Sequence, residues 1–413
     1  MTYSIRSSTI YQVMLMLPFL VLLINHYELT FMVWSLTALV SLRQSYSLEF
    51  LRLILISGVI LLLGALAMIG ETAPLFYVFR DVAYLTKPIL GMLIGYQFCM
   101  LLGQKIWKTL INVGVIMAAY HIGVLIFSYV FIGIRNIHIL RQFGGYFDDF
   151  QVYVLILLLF RKQLGIEVNE KRIKLVIAVV AVSSFLYLSR VNIIQFVILF
   201  VALKGYLRPT VKSIRIVLIS LALIFAAYGA VYYSNPSRSG KGMEAFLYKI
   251  KIAPIEAFKT KINKQDWKDF NDNYRSFENI ITVKQLEAHD AFFTGMGLGS
   301  TIDLGREVWT NDGEYIRYIP ILHNSYYTVW FKAGLIAMIL MLVFIYYLYK
   351  PLPALNEEIR HFNYLMVGSA IFLIFSNWVF MGLYLKLDSK SILLGAALCH
   401  RYYLYRHARA SVV

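Results

Sequence analysis

The sequence has little charge for its length. Only 15% of its 413 residues are Asp, Glu, Lys or Arg, whereas a soluble domain carries about 25%. It has two cysteines, Cys99 and Cys399, and both fall in apolar runs, so they predict neither a disulfide framework nor a metal site. Strand-like alternation of apolar and polar residues is absent. These features argue against a soluble or disulfide-stapled domain and favour membrane helices.

What the chain has instead is long apolar runs. Apolar residues make up 59% of it, and the mean hydropathy is +0.66. A membrane-spanning helix needs roughly 20 apolar residues, and about twelve segments approach that requirement. They are approximately 10–25, 29–42, 51–70, 85–103, 109–133, 150–160, 173–188, 191–204, 214–233, 321–349, 363–383 and 389–405. The sequence therefore predicts an all-α, polytopic integral membrane bundle of about twelve transmembrane helices.

The basic residues predict the orientation of these helices. The formal net charge of +16 would suggest nucleic acid in a soluble protein, but in a membrane protein lysine and arginine accumulate in cytoplasmic loops. Every basic cluster falls on one side if both termini are cytoplasmic. The clusters are Arg43; Lys105 and Lys108; Arg161, Lys162, Lys171, Arg172 and Lys174; Lys204, Arg208, Lys212 and Arg215; Lys350 and Arg360; and Arg401, Arg406 and Arg409. No nucleic-acid partner is expected.

Three regions follow from this topology. Residues 1–233 hold transmembrane helices 1–9, residues 234–320 form a large outer loop, and residues 321–413 hold helices 10–12. The large loop contains twelve basic and twelve acidic residues, so a folded, partly helical element is predicted, with amphipathic helices near 243–262 and 276–286 on the membrane surface. Smaller outer loops are predicted at 71–84 and 134–149.

The first candidate for chemistry is His323, where the large loop enters helix 10. The run 323–327 reads His-Asn-Ser-Tyr-Tyr, and nine residues separate Asn324 from Gly334. A histidine can take a proton from an incoming hydroxyl, and Gly334 would permit close helix packing. The alternative is an interfacial histidine that bonds locally.

Three arginines fall on the same predicted side as His323. Arg190 interrupts an apolar region, Arg275 begins a probable loop helix, and Arg141 precedes a glycine-containing stretch. Guanidinium groups match phosphate oxygens bidentately, so a histidine with several arginines suits displacement of a pyrophosphate. The alternatives are a snorkelling side chain for Arg190 and a surface salt bridge from Arg275 to Asp272 or Glu278.

The run Gly295-Met296-Gly297-Leu298-Gly299 invites a nucleotide-binding interpretation, which two observations oppose. No strand precedes the run, and it falls outside the predicted cytoplasmic side. A tight loop after a helix is predicted instead.

Taken together, these residues resemble the O-antigen polymerase and O-antigen ligase superfamily. The likeness covers about residues 135–345. The chain departs from the family at Ala337, where glycine is common, and at Asp148-Asp149, where Pro-Asn is frequent, so no role is assigned to Asp148, Asp149 or Gln151. The matching positions are His323-Asn324 with Gly334, the 295–299 glycine run, Arg275, Ser189-Arg190 and the stretch from Arg141 to Phe147.

The resemblance implies a GT-C-like glycosyltransferase of the bacterial inner membrane with a periplasmic active site. Its donor would be an undecaprenyl-pyrophosphate-linked glycan and its acceptor another glycan, with membrane lipids around it and no cofactor or metal. Polymerisation of repeat units is favoured over ligation to lipid A-core, and a lipid or polysaccharide flippase is the alternative of another class. Whether a chain-length regulator binds is left open. The expected catalytic residues are His323, Arg275 and Arg190, and the expected substrate-binding residues are Arg141, Asn324, Tyr274 and Tyr326.

Overall fold

The computed structural model describes residues 2–70, 72–145, 148–207, 210–239, 243–256, 259, 262, 270, 273–309, 313, 315–385 and 388–411. Of the positions singled out above, Glu71, Tyr146, Phe147, Arg208 and Asp272 lie outside these residues.

Of the described residues, 73% are helical. Apolar runs form most of the helices, and polar residues begin several of them. Ser47, Asp148 and Asn356, for example, each accept a hydrogen bond from a backbone N–H in the first turn of the following helix, which satisfies an otherwise unpaired donor. The helices are α1 (Thr2–Leu20), α2 (Tyr27–Val40), α3 (Leu48–Ala67), α4 (Leu75–Leu102), α5 (Lys105–Val130), α6 (Ile137–Gly144), α7 (Asp149–Leu159), α8 (Ile173–Leu186), α9 (Arg190–Leu203), α10 (Val211–Tyr233), α11 (Met243–Glu256), α12 (Tyr274–Ala288), α13 (Ser325–Tyr349), α14 (Glu357–Val379) and α15 (Lys390–Ala410).

Each of the twelve predicted apolar segments coincides with one of these helices. Among the described residues, six helices are long and apolar enough to cross a membrane, namely α3, α4, α5, α10, α13 and α14. Helices α2, α7, α8 and α9 are apolar but have only 11–14 residues. Helix α15 has 21 residues but is not among the candidate spans. The largest error in a boundary is at α4, which begins at Leu75, inside the region predicted as an outer loop. The loop predicted at 134–149 contains the short helix α6.

The described part of residues 234–320 contains both helices and strands. Helix α11 lies within the helix predicted near 243–262, of which 257, 258, 260 and 261 lie outside the described residues, and α12 covers the helix predicted near 276–286. Two antiparallel strands, β1 (Ile302–Trp309) and β2 (Tyr315–Ile319), form a hairpin that the sequence interpretation missed. The signal was the Asp312-Gly313 pair between two segments that contain β-branched and aromatic residues, because Asp-Gly favours hairpin turns.

The loop has a hydrophobic core of its own. Phe277 and Leu286 of α12 pack with Ile302 and Leu304 of β1 and with Phe331 near the start of α13. The main bundle has a separate, larger core. Helix α13 contributes residues to both cores, so it connects the loop to the bundle. We call the end of the bundle at which α13 begins the loop end.

Helices α4 and α15 pack closely against each other, and their contacts show how the two helices are aligned. A Cβ atom on Gly95 would lie 1.8 Å from the carbonyl oxygen of Ile392, and one on Gly395 would lie 2.1 Å from that of Met92. Only residues without a side chain allow this approach. Gly91 and Ser391 are also neighbours, so the two helices run in the same direction, and α15 begins level with the middle of α4.

Candidate functional site

His323 is held by a buried carboxylate. Its Nδ1 atom lies 3.0 Å from both Oε1 and Oε2 of Glu278, and its backbone N–H donates to Oε2 at 3.1 Å. The Glu278 side chain is 2% exposed and that of His323 is 41% exposed. Glu278 lies on α12 and His323 lies just before α13, so the pair joins the loop to the bundle.

This geometry fixes the tautomer of the imidazole. A carboxylate only accepts hydrogen bonds, so the proton on the neutral ring lies on Nδ1 and the lone pair on Nε2. Since Nδ1 faces Glu278, Nε2 lies on the other side of a ring that is partly open to the surroundings. The arrangement gives His323 the form of a general base whose orientation is set by a neighbouring acid.

Tyr274 completes this group. Its ring meets the imidazole edge-on, with centroids 6.0 Å apart, and its hydroxyl bonds to Glu278, which lies one helical turn further along α12. Burial, and then the negative charge of Glu278, raise the pKa of the Tyr274 hydroxyl. Tyr274 therefore remains a neutral donor to the carboxylate, and Arg275 follows it on the same helix.

Asn324 and Tyr326, the predicted substrate-binding residues that follow His323, both form hydrogen bonds within the protein. The Asn324 side chain caps α13, with Oδ1 accepting from the backbone N–H of Tyr326 at 3.0 Å. The Tyr326 hydroxyl donates to the carbonyl of Ile374 on α14 at 3.2 Å. Both residues are buried, and their contacts fix the start of α13 against α14. The backbone N–H of Met381 donates to the His323 carbonyl at 2.9 Å.

Arg190 lies at the same end of the bundle as His323, across α14. Gly368 of α14 is adjacent to Leu199 and Ala202 of α9, and Gly205 is adjacent to Tyr364, so α9 and α14 are antiparallel. The start of α9 is therefore level with the end of α14, where Met381 binds His323. The Arg190 side chain is exposed.

Arg141 belongs to a helix that packs near the start of α9, which carries Arg190. Its helix, α6, packs on α5, where Gly144 is adjacent to His121, and a Cβ atom on Gly145 would lie 3.7 Å from the ring of Tyr187, which precedes α9. The predicted residues therefore fall into two groups at the loop end. One group contains His323, Tyr274 and Arg275, and the other contains Arg190 and Arg141.

The glycine run forms the tight loop that the sequence predicted. Gly295, Gly297 and Gly299 all have positive φ, and the loop packs against α13. The partner position on α13 is Gly334, whose φ of +83° interrupts the helix and whose Cβ would lie 2.0 Å from the Phe293 carbonyl oxygen. Gly334 thus permits contact with this loop instead of the helix packing expected from sequence.

A buried ion pair fastens the same loop to α4. Lys332 Nζ lies 2.5 Å from Asp81 Oδ2, and the Gly299 N–H donates to that oxygen at 2.7 Å. Both charged side chains are 2% exposed. Lys332 also donates to the carbonyl of Ser300. The pair fixes the segment between α12 and α13, so it positions the elements that carry Glu278 and His323.

A second group of buried charged side chains lies further from the loop end. Lys390 Nζ is 2.6 Å from carboxylate oxygens of both Asp149 and Asp388, and all three side chains are at most 3% exposed. Lys390 begins α15, level with the middle of α4. Gln195 also donates to the Asp149 carbonyl at 2.9 Å. Asp149, to which the sequence assigned no role, is therefore one of the partners of a buried lysine.

Sequence reasoning missed Glu278, Asp81, Lys332, Asp388 and Lys390 as members of these groups. It considered Glu278 only as a surface partner of Arg275, whereas the structure buries it beside His323. The available signal was its place one helical turn after Tyr274 on a predicted amphipathic helix, which puts the two side chains on one face. No three His, Cys, Asp or Glu side chains among the described residues are grouped so that they could hold a metal ion.

No protein-family model matches the sequence, and no curated protein matches it either.

Proposed function

We propose that this chain is a bacterial inner-membrane glycosyltransferase that uses a polyprenyl-diphosphate-linked glycan, related to the O-antigen polymerases and ligases. The observation that carries the proposal is the His323–Glu278 pair, with Nε2 on the open side of the ring. Arg275 in the same group and Arg190 at the same end of the bundle support it, because guanidinium groups suit diphosphate oxygens.

The proposed reaction is a single displacement. The acceptor hydroxyl attacks the anomeric carbon, the bond from that carbon to the diphosphate oxygen breaks, and the hydroxyl proton passes to Nε2 of His323. The bonding electrons leave with the diphosphate, and arginines stabilise the charge that develops there. Glu278 stabilises the imidazolium that forms, and inversion at the anomeric carbon follows.

The proposal can be tested with purified protein in liposomes. The substrate is a synthetic polyprenyl-diphosphate oligosaccharide, offered with a second repeat unit or with lipid A-core as acceptor. We expect a glycan product by mass spectrometry, an inverted anomeric linkage by NMR, and no loss of rate with a chelator. A longer glycan identifies a polymerase, and a lipid A-core product identifies a ligase. Absence of product with both acceptors, from correctly folded protein, would contradict the proposal.

One observation favours a flippase or transporter as the second candidate. Lys390, Asp149 and Asp388 form a buried charged group at mid-depth, and ionisable residues there are common in transporters. Lys390→Met should abolish lipid translocation in a vesicle flux assay if the chain is a transporter. If the chain is a transferase, we expect wild-type protein to show no flux and Lys390→Met to act through stability.

A further inference from the structure

Arg80 has hydrogen-bonding capacity that the described chain does not use. It lies in the second turn of α4, and its side chain is 19% exposed. The Nε and Nη2 atoms are enclosed and have no hydrogen-bond partner among the described residues. The guanidinium carbon lies 4.6 Å from the centroid of the Tyr77 ring. A guanidinium is always charged, and leaving its donors buried and unpaired is costly, so this side chain is suited to an acceptor from outside the described residues, such as a bound anion.

The neighbouring carboxylate does not supply that acceptor. Asp81 Oδ1 lies 3.7 Å from Arg80 Nε, which is longer than a hydrogen bond. The other oxygen, Oδ2, is bound by Lys332 and by the Gly299 N–H. Because Lys332 already neutralises Asp81, this group of three charged residues carries one net positive charge, and Arg80 supplies it at the more open edge.

The position of Arg80 along α4 matches the headgroup region of a bilayer. Gly103 ends α4 at the opposite end, and 23 residues of helix from Arg80 correspond to roughly 35 Å at 1.5 Å per residue. The hydrocarbon core of a bilayer is about 30 Å thick. If Gly103 lies at one interface, Arg80 lies at the other, where lipid phosphates are found.

We propose that Arg80 binds the phosphate of a membrane lipid at the loop end, between α4 and the 295–299 glycine loop. The planar guanidinium can donate from Nε and Nη2 to two phosphate oxygens, and Tyr77 holds the plane of the group by stacking. The phosphate can belong to a phospholipid headgroup or to the polyprenyl diphosphate. The inference rests on the membrane insertion contained in the proposed function, but it does not require transfer to occur.

The experiment compares Arg80→Gln with Arg52→Gln in the full-length protein. Arg52 is a matched control, because it is exposed near the opposite end of the bundle and also faces a tyrosine ring, that of Tyr347, at 6.0 Å. Each detergent-solubilised variant is titrated with phosphatidylglycerol, with polyprenyl diphosphate and with the phosphate-free polyprenol. Thermal stabilisation and native mass spectrometry report binding.

We expect Arg80→Gln to weaken binding of at least one phosphate lipid about tenfold or more, since hydrogen bonds to charged groups contribute about 1.5–3 kcal/mol. Arg52→Gln and all polyprenol titrations should be unchanged. If Arg80→Gln loses affinity only for polyprenyl diphosphate, the ligand of Arg80 is the glycan carrier. If it loses affinity only for phosphatidylglycerol, the ligand is a phospholipid headgroup. Arg80→Lys, which keeps the charge and removes the fork, should also bind more weakly and tests the same point if Arg80→Gln does not fold.

Equal affinity of wild type, Arg80→Gln and Arg80→Lys for both phosphate lipids would overturn the inference, and a water bridging Arg80 to Asp81 would then account for the geometry. These titrations involve no acceptor and no turnover. A chain without transferase activity would still give the expected result if Arg80 binds phosphate, so failure of this inference and failure of the proposed function are distinguishable.

Discussion

The Nδ1 atom of His323 lies 3.0 Å from each carboxylate oxygen of Glu278, and the His323 backbone N–H donates to the same group. Two bonds from one buried acid therefore fix both the ring and the main chain of the exposed residue. A histidine held only by local capping would not need this long-range partner, and the acid comes from a helix 45 positions earlier in the chain.

Glu278→Gln should lower the transfer rate while leaving KM for the donor unchanged. Glutamine can retain one acceptor, but it loses the charge that stabilises the imidazolium. A hydrogen bond to a charged group contributes about 1.5–3 kcal/mol, which corresponds to a rate loss of roughly 10–100-fold. Steady-state kinetics measures the effect. Glu287→Gln, an exposed change on the same helix, is the control and should keep full activity. A higher KM for the donor with an unchanged kcat would assign Glu278 to substrate binding instead.

Arg275→Lys and Arg190→Lys should each cause a large loss of transfer, because lysine keeps the charge but cannot present the planar fork to diphosphate oxygens. Membrane insertion and thermal stability should remain normal. Arg52→Lys, near the opposite end of the bundle, serves as the control. Full activity of both loop-end variants would mean that the diphosphate is bound elsewhere.

The helical part of the fold could be predicted from sequence because it depends on local apolar length. The hairpin and the buried ion pairs could not, since they depend on partners far apart in the chain. Lys332 and Asp81 are 251 positions apart, and an apolar helix containing one lysine gives no indication of its partner. Likewise, the sequence identified His323 and the arginines as candidates from their chemistry. Their placement in two groups follows from the antiparallel packing of α9 on α14, which the sequence does not show.

Gly334→Ala should destabilise the protein by more than about 2 kcal/mol, because it combines positive-φ strain with a steric clash. The added Cβ would lie 2.0 Å from the Phe293 carbonyl oxygen. Thermal unfolding in detergent measures the change. Gly58→Ala is the control, since Gly58 lies in α3 with open space around its Cβ position, and alanine there should be neutral or stabilising by up to about 1 kcal/mol. Equal melting temperatures for the two variants would show that the kink at Gly334 is dispensable.

Single cysteines introduced at Lys171 and Arg360 should be shielded from an impermeant thiol reagent in intact cells, and a cysteine at Trp309 should react. The expectation follows from the distribution of basic residues. Cys99 and Cys399 are buried, so the native background should be low, and the unmodified protein is the control. Trp309 is 60% exposed, so a shielded cysteine there would place the hairpin, and His323 with it, on the cytoplasmic side.

The most direct test of the account is purified His323→Ala against wild type, with the synthetic lipid-diphosphate glycan and protein of matched folding. Removal of a general base costs about 10²–10⁴ in rate, so we expect transfer to fall by that factor while the affinity for the donor stays close to that of the wild type. Wild-type turnover by His323→Ala would remove the histidine from the mechanism and contradict the account.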